Sequence, residues 1–308
     1  MDIEQIIKRI RDGDKSAVSR AISLAEGAND SFRKNLLTKL YPLTGKAQVV
    51  GITGPPGIGK STLIGNLASA LTRSGIKTSI LAIDASSPFT GGSLLGNRIR
   101  MQESIWADGI YMRSLANRGA KGGLSQSTLG AVNILDAYGS DVILIETVGA
   151  GQADLDIMNL ADTTILVLAP NLGDQIQAIK AGIMEIADLF VINKMDIEGS
   201  YFAMKDIEET LSLEDNREFP REVIGTSKDE IESYKKLMNV ILKHRNFLNS
   251  KNKLGFNRKK YGLRWILESE ISEKIISPIL RKFEESNGTG KENNIYIRAE
   301  EIISSLKL

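Results

Sequence analysis

The sequence predicts an α/β fold, in which helices cover both faces of a doubly wound, mostly parallel sheet. From residue 48 onward, short apolar runs rich in isoleucine and valine alternate with helical patterns, which is typical of this architecture. Several runs are continuously apolar, as expected of strands that are buried on both faces. A glycine-rich turn at residues 54–61 lies between the first run and a helix. We therefore expect a ligand at the carboxyl ends of the strands.

Each predicted strand is a short apolar run bounded by turn residues or by a helical pattern. The strands are Val49–Thr53, Thr78–Asp84, Ile110–Ser114, Val142–Thr147, Thr164–Ala169, Leu189–Lys194 and Val223–Ser227. Helices are expected between them, for example Thr62–Ser74 and Ser127–Tyr138. Each of these two helices is followed directly by a glycine, which is a common helix end.

The chain of 308 residues is expected to have three parts. Residues 1–45 carry three amphipathic patterns and predict an N-terminal helical subdomain. Residues 46–250 form the α/β domain. Residues 251–308 begin with a basic stretch at 251–264, which we interpret as a solvated linker. Isoleucines at helical spacing follow the linker, and Pro278 is expected to kink or break that C-terminal helix.

Composition limits the possible functions. The chain is 42% hydrophobic and 25% charged, and its net charge of +1 predicts no general attraction to nucleic acid or to an anionic membrane. It contains no cysteine, which excludes disulfides, thiolate metal sites and cysteine nucleophiles. The polar start is unlike a signal peptide, and no apolar run approaches the roughly 18 residues of a membrane span. We therefore expect a cytoplasmic protein without nucleic-acid or membrane partners.

Residues 54–61 match the Walker A pattern G-x-x-x-x-G-K-[ST] at every fixed position. Backbone N–H groups of such a loop and the N-terminus of the following helix surround phosphate oxygens. Lys60 would reach the β- and γ-phosphates of a nucleotide, and the Ser61 hydroxyl would bind Mg²⁺. The predicted nucleotide-binding residues of this segment are Gly54, Pro55, Pro56, Gly57, Ile58, Gly59, Lys60, Ser61 and Thr62.

A second motif predicts which base is bound. Asn193, Lys194 and Asp196 form the pattern N-K-x-D directly after an apolar run. The Asp196 carboxylate would accept hydrogen bonds from the N1–H and the 2-amino group of guanine, a donor pair that adenine lacks. A buried carboxylate left unpaired makes the wrong base costly. On the other side of the base we expect the residues at the end of the last strand, Thr226, Ser227 and Lys228.

Carboxylates at two strand ends complete the predicted site. Glu146 occupies the position of the aspartate in the D-x-x-G element of GTPases, and Gly149 is the glycine of that element. Glu146 would organise a Mg²⁺-bound water, and the N–H of Gly149 would face the γ-phosphate. Asp84 is a second carboxylate at the same sheet edge. Arg100 would contact phosphate or charge that develops in the transition state, and a solvated arginine is an equal alternative.

Longer motifs in the sequence are similar to those of one family, the MeaB/ArgK GTPases. They are Leu81–Pro88, Thr90–Gly96, Arg100-Met101, Arg113-Ser114, Arg118-Gly119, Gly122–Leu124, Glu146–Gln152 and Gly173–Lys180. The resemblance covers essentially the full length. It implies a GTP-hydrolysing chaperone that gates adenosylcobalamin loading of an acyl-CoA mutase, typically methylmalonyl-CoA mutase, and protects that enzyme. It also implies a homodimer formed through C-terminal helices, which suits residues 263–285.

The resemblance also assigns roles to single residues. The segment Asn171–Lys180 would match the third switch of the family, whose lysine, here Lys180, links the nucleotide state to the mutase. Asn97 stands where the family commonly has aspartate, which removes one charge near Mg²⁺. The implied cofactors are GTP or GDP with Mg²⁺. The expected Mg²⁺ ligands, mostly through water, are Ser61, Asp84, Asn97 and Glu146, and the expected catalytic residues are Lys60, Asp84, Arg100, Glu146 and Lys180.

Other functions stay open at this point. A metallochaperone GTPase of the nickel- or zinc-insertion type shares the fold, but it would need histidine or cysteine clusters, and the chain has one histidine and no cysteine. A transport-associated ATPase or kinase is an older description of the family, and the N-K-M-D motif argues against adenine. A nucleic-acid-associated GTPase would rest only on the basic stretch. No D-x-H-x-x-G motif surrounds His244, so direct cobalamin binding is not expected.

Overall fold

The computed structural model describes residues 2–27, 30–85, 108–117, 126–147, 159–170, 183–214 and 217–285, together with residues 296, 299, 300 and 304. The chain divides into two compact units, residues 1–261 and residues 262–308. We describe each unit by itself. The first unit contains the sheet and the predicted nucleotide site.

The first unit begins with the three predicted helices. They are α1 (Ile3–Arg11), α2 (Lys15–Glu26) and α3 (Asp30–Leu40), followed by a 3₁₀ turn at Tyr41–Leu43. The isoleucines of α1 recur at helical spacing and are buried. The Asp14 carboxylate caps the N-terminus of α2, because it accepts hydrogen bonds from the N–H groups of Ser16 and Ala17. The assignment of residues 1–45 as a separate helical subdomain stays a prediction.

Within the described residues, all seven predicted strands form one sheet. They are β1 (Gln48–Thr53), β2 (Thr78–Ala85), β3 (Tyr111–Asn117), β4 (Val142–Glu146), β5 (Thr163–Leu168), β6 (Leu189–Asn193) and β7 (Glu222–Thr226). The strand order is β3-β2-β4-β1-β5-β6-β7. Every neighbouring pair is parallel. The carboxyl end of β1, where the glycine-rich turn begins, therefore lies at the middle of one sheet edge.

Helices between the strands cover both faces of the sheet. They are α4 (Lys60–Arg73), α5 (Gln126–Ala137), α6 (Ile183–Ile186), α7 (Ser200–Glu214) and α8 (Ile231–Ser250). Val49 and Ile143 pack in a core cluster with α1, α2, α3 and α5. Their strand neighbours Val50 and Leu144 pack in another cluster with α4 and α8. Because successive side chains of a strand point to opposite faces, both faces are apolar, and the doubly wound prediction is confirmed.

The prediction of a solvated linker at residues 251–264 is wrong from residue 256 onward. Helix α9 (Phe256–Ile271) begins inside that stretch, and its Arg258 side chain is 4% exposed. The run of lysines and arginines indicated solvated side chains throughout, but one of these cations, Arg258, is buried against a carboxylate. A π-helical turn at Ser272–Ile276 and helix α10 (Ser277–Glu285) follow. Pro278, which lacks an N–H, is the second residue of α10 and lies in its first turn.

The buried partner of Arg258 is Asp136. One guanidinium nitrogen lies 3.1 Å from the Asp136 carboxylate, and both side chains are buried. The same carboxylate accepts hydrogen bonds from the N–H groups of Gly45, Lys46 and Ala47, which lead directly into β1. The pair therefore joins the start of α9 to α5 and to the segment that begins the central strand.

A second buried carboxylate makes a related connection. Asp162 accepts hydrogen bonds from the N–H of Val49 in β1 and from the N–H of Gly255 beside α9. Burial raises the pKa of Asp162, although the nearby Arg258 cation and the two N–H donors oppose that rise. The amino-terminal edge of the sheet is thus fixed by buried polar groups, while the carboxyl edge carries the glycine-rich loop.

Arg258→Ala is expected to lower the free energy of unfolding by about 3 kcal/mol, because Asp136 would keep a buried charge without its cation. Lys259→Ala is the matched control, since this neighbouring side chain on the same helix is exposed. Urea unfolding followed by circular dichroism gives both stabilities. Equal stabilities of the two variants would contradict the structural role of the ion pair.

Asp188, directly before β6, is a titratable group with a shifted pKa. Its carboxylate accepts a hydrogen bond from the N–H of Thr164 at 2.8 Å and lies 3.6 Å from a guanidinium nitrogen of Arg217. Burial raises the pKa of Asp188 from 3.8 to about 6, against the smaller opposing effects of Thr164 and Arg217. The folded state therefore binds this proton more tightly than the unfolded chain does.

This pKa sets the sign of a pH effect. As the pH rises from about 4 to about 6, the folded state must release a proton that the unfolded chain has already lost, so stability falls. Asp188→Asn keeps an oxygen for Thr164 but cannot titrate. We expect the parent to lose stability relative to this variant across that window, measured by urea unfolding at four pH values. A difference between the two proteins that does not change with pH would refute the assignment.

Candidate nucleotide-binding site

The glycine-rich loop between β1 and α4 requires glycine at its ends. Gly54 and Gly59 have φ values of 145° and 92°. A Cβ atom on Gly54 would lie 2.2 Å from the carbonyl oxygen of Val167 in β5, and one on Gly59 would lie 2.7 Å from the side-chain nitrogen of Asn193. Larger residues would therefore separate the loop from the strands beside it.

Lys60 is the first residue of α4, and its side chain is buried within the loop. Its ammonium group donates hydrogen bonds to the carbonyl oxygens of Gly54 at 2.7 Å and Pro55 at 2.9 Å. The loop therefore holds a cation beside the positive end of a helix of 14 residues. This arrangement suits a ligand that carries phosphate groups.

Ser61 and Glu146 meet at the same sheet edge. The Ser61 hydroxyl donates a hydrogen bond to a carboxylate oxygen of Glu146 at 2.5 Å. Their meeting follows from the sheet, because β4 lies beside β1 with Glu146 opposite Ile52. A hydroxyl and a carboxylate are oxygen donors of the kind that Mg²⁺ prefers, so the residues fit that metal. Within the described residues, no three His, Cys, Asp or Glu side chains group into a metal site of their own.

The N-K-x-D turn is hydrogen-bonded to the glycine-rich loop. The side-chain amide of Asn193, at the end of β6, donates to the carbonyl oxygen of Ile58 at 2.8 Å. The ammonium group of Lys194 donates to the carbonyl oxygen of Gly57 at 3.1 Å. Asn193 is buried, whereas Asp196 is exposed. Hydrogen bonds from the turn therefore hold the glycine-rich loop in place, while the Asp196 carboxylate stays accessible to a ligand.

The end of β7 orients the same turn. The Ser227 hydroxyl donates to one carboxylate oxygen of Asp196 at 3.0 Å. Thr226 is fully buried, and its hydroxyl donates to the Asn193 side-chain oxygen at 3.0 Å. The side chain of Thr226 therefore supports Asn193 instead of covering a base. Ser227 lies next to the carboxylate that was assigned to the base, and its contact with a base stays a prediction.

Asn66 contacts a predicted nucleotide-binding residue, although no motif includes it. Its side-chain nitrogen, on α4, donates to the carbonyl oxygen of Lys228 at 3.2 Å. The bond joins the helix after the glycine-rich loop to the segment after β7. Nothing in the local sequence predicts it, because a polar residue on a helix is ordinary.

Part of the predicted site falls outside the described residues. Asp84 lies in β2, opposite Ala116 of β3, but its side chain is not described. The predicted roles of Asn97, Arg100, Gly149 and Lys180 concern residues that lie wholly outside the described part of the chain. His244, by contrast, is described. It is buried, its ring nitrogen contacts the Thr163 hydroxyl at 2.8 Å, and burial lowers its pKa to about 4, so its surroundings are those of a core residue.

A parallel sheet with a Walker A loop at its central strand and an N-K-x-D turn against that loop defines a P-loop GTPase. The chain belongs to the family described as methylmalonyl Co-A mutase-associated GTPase MeaB, whose model matches residues 18–282. The family predicted from the sequence motifs is thereby confirmed.

Individual relatives agree with this family. The chain is 45% identical over 291 residues to a protein of Pyrococcus horikoshii that is named as a GTPase, with 92% of this chain and 89% of that protein covered. It is 36% identical over 209 residues to the mitochondrial methylmalonic aciduria type A homolog of Caenorhabditis elegans, with 63% of this chain and 52% of that protein covered.

One solved structure shows the same fold along nearly the whole chain. It is a crystal structure titled LAO/AO transport system kinase, with a TM-score of 0.73, 24% identity, and coverage of 98% of this chain and 97% of that one. At this identity, the likeness concerns the fold alone. In the part of the chain that the structure describes, no helix is long and apolar enough to cross a membrane.

Asp196→Asn is expected to remove most of the preference for GTP over ATP, which we expect to be at least about 100-fold in affinity in the parent, because the carboxylate matches the donor pair of guanine. Competition binding with both nucleotides measures the preference. Asp206→Asn, which changes an exposed carboxylate of α7, is the control. Equal affinity of the parent for GTP and ATP would rule out the guanine assignment.

Proposed function

We propose that this protein is a GTP-hydrolysing chaperone that gates adenosylcobalamin loading of a B12-dependent acyl-CoA mutase, with methylmalonyl-CoA mutase as the client, and that protects this enzyme. Membership in a family described as methylmalonyl Co-A mutase-associated is the observation that carries the proposal. The name of the Caenorhabditis elegans relative, which refers to methylmalonic aciduria, supports the same client. In this proposal the chain itself does not bind cobalamin.

In the proposed site, the glycine-rich loop and Lys60 bind the β- and γ-phosphates of GTP. Ser61 and Glu146 hold Mg²⁺ directly or through water, and Asp84 and Asn97 complete the surrounding water shell. Bound Mg²⁺ supplies positive charge to the phosphate oxygens during transfer. Asp196 selects guanine, and Lys194 holds the loop to the base-binding turn. Gly149 and Arg100 are proposed to face the γ-phosphate and its developing charge.

Slow hydrolysis by the isolated protein is part of the proposal. In the sequence, Gln152 stands three residues beyond Gly149 instead of beside it, where a glutamine could position the attacking water. A partner that completes the site would then raise the rate. This arrangement couples turnover to the presence of the client, as a gating function requires.

Self-association through the C-terminal helices is also proposed. The second unit exposes large apolar side chains at Leu263, Ile266, Leu267, Ile271, Ile276 and Leu280. Such a surface is unusual for a monomer and favours contact with another protein surface. A homodimer that acts in the cytoplasm, without nucleic-acid or membrane partners, is the form we propose.

Single-turnover GTP hydrolysis, measured with and without methylmalonyl-CoA mutase, tests the proposal. We expect a slow basal rate that rises with the mutase. Lys180→Ala should leave GDP affinity within about threefold and remove most of the stimulation, a coupling loss of ~1–3 kcal/mol, because a switch residue acts on only one nucleotide state.

Lys205→Ala is the matched control for this experiment, since it removes an exposed lysine of α7. Fast hydrolysis by the isolated protein, or no response to the mutase, would count against the partner-gated function. A normal response of the Lys180→Ala variant would reject the role of Lys180 alone.

A further inference from the structure

Gly225 is a glycine inside a strand, at a position whose backbone does not require one. It lies in β7, opposite Ile192 of β6, and its φ is not in the left-handed region. Glycine weakens a strand because it is flexible and has no side chain to pack. A glycine that the backbone does not need often marks the close approach of another part of the chain.

The part of the chain that approaches Gly225 is the side chain of Met195. A Cβ atom on Gly225 would lie 2.8 Å from Cγ, 3.0 Å from Sδ and 3.3 Å from Cε of Met195. The terminal methyl group of a methionine can move aside easily. The Cγ atom cannot, because it is bonded directly to Cβ and moves only if χ1 rotates or the backbone shifts.

Met195 is the variable residue of the N-K-x-D turn and directly precedes Asp196. Its N–H donates to the carbonyl oxygen of Thr226 at 3.0 Å, one residue beyond Gly225. The Ser227 hydroxyl then reaches the Asp196 carboxylate at 3.0 Å. Both hydrogen bonds need the turn and β7 to lie close together, and the missing side chain at Gly225 leaves room for the Met195 side chain that lies between them.

We infer that Gly225 and Met195 form a positioning pair that sets guanine specificity, because their contact holds Asp196 at the distance from Ser227 at which its carboxylate is oriented for the base. The inference rests on the proposed role of Asp196 as the base-reading residue. Gly225 and Met195 touch no nucleotide in this scheme. They act through the position of the turn.

The test compares the affinities of the full-length protein for GDP and for inosine diphosphate, which lacks the 2-amino group that Asp196 would bind. Gly225→Ala is expected to lower the GDP-to-IDP affinity ratio about tenfold, because overpacking displaces the turn. Gly130→Ala is the matched control. This glycine is buried in α5, and an added Cβ would meet its nearest atoms at an ordinary 3.5 Å, so the ratio should stay at the parent value.

Relief of the clash distinguishes positioning from simple loss of stability. In the Gly225→Ala background, Met195→Ala removes the Cγ atom and should restore the ratio to that of Met195→Ala alone. Met195→Leu keeps a Cγ atom and should not restore it. The difference between these two double variants is a coupling that separate, additive effects cannot produce.

Met195→Ala in the parent protein is a second, independent variant. It adds no atom to the packed interior, so it still tests the pair if Gly225→Ala folds poorly. This variant removes the Met195 side chain that packs against Gly225, and it should lower the GDP-to-IDP affinity ratio about threefold. Thermal unfolding of every variant reports stability separately. A purely structural role would lower stability and leave the GDP-to-IDP ratio unchanged.

The outcomes distinguish failure of the proposed base-reading role of Asp196 from failure of the Gly225–Met195 positioning pair. If the parent binds GDP and IDP equally, the proposed role of Asp196 fails. If the parent prefers GDP, but Gly225→Ala and Met195→Ala keep its ratio, the positioning pair is refuted and the guanine assignment stands. Failure of Met195→Ala to relieve Gly225→Ala would also refute the pair.

Discussion

The buried side-chain amide of Asn193 is the interaction on which the candidate site depends. It donates to the carbonyl oxygen of Ile58 in the glycine-rich loop and accepts from the Thr226 hydroxyl at the end of β7. One side chain thus joins the ends of β6 and β7 to the glycine-rich loop that follows β1. Because a buried amide with an unmet hydrogen bond is costly, these segments are held in one arrangement. The glycine-rich loop, expected to bind phosphate, and the N-K-x-D turn, expected to bind the base, are therefore held in one arrangement.

The close approach of these segments explains the glycines around them. Gly59 leaves space for the Asn193 amide, and Gly54 lies against the carbonyl oxygen of Val167. At the opposite edge of the sheet, Asp136 and Asp162 hold the start of β1 to α5 and to the residues around Arg258. The central strand is therefore fixed at its beginning by buried carboxylates, and its end leads into a loop in which Gly54 and Gly59 leave no space for a side chain.

The prediction from sequence succeeded where the signal is local. Seven strands were predicted because their apolar runs and bounding turns lie within a few residues of each other. The Walker A loop was predicted because its spacing is fixed by the chemistry of phosphate binding. The start of α9 was missed, because the pattern of lysines and arginines looks solvated until one knows that Arg258 has a buried carboxylate partner. The roles of the predicted site residues stay predictions, and Asn97, Arg100, Gly149 and Lys180 lie outside the described residues.

By itself, the sequence determined the fold class, the family, the Walker A loop and the residue types of the N-K-x-D turn. These follow from periodicity and from motifs whose spacing the chemistry requires. Only the tertiary structure decided that Thr226 supports Asn193, that Asn66 holds the carbonyl of Lys228, and that Gly225 accommodates Met195. Each of these contacts joins segments that are distant in the sequence. Strand order and register bring these residues together, and a local sequence pattern does not predict which distant side chains will be in contact.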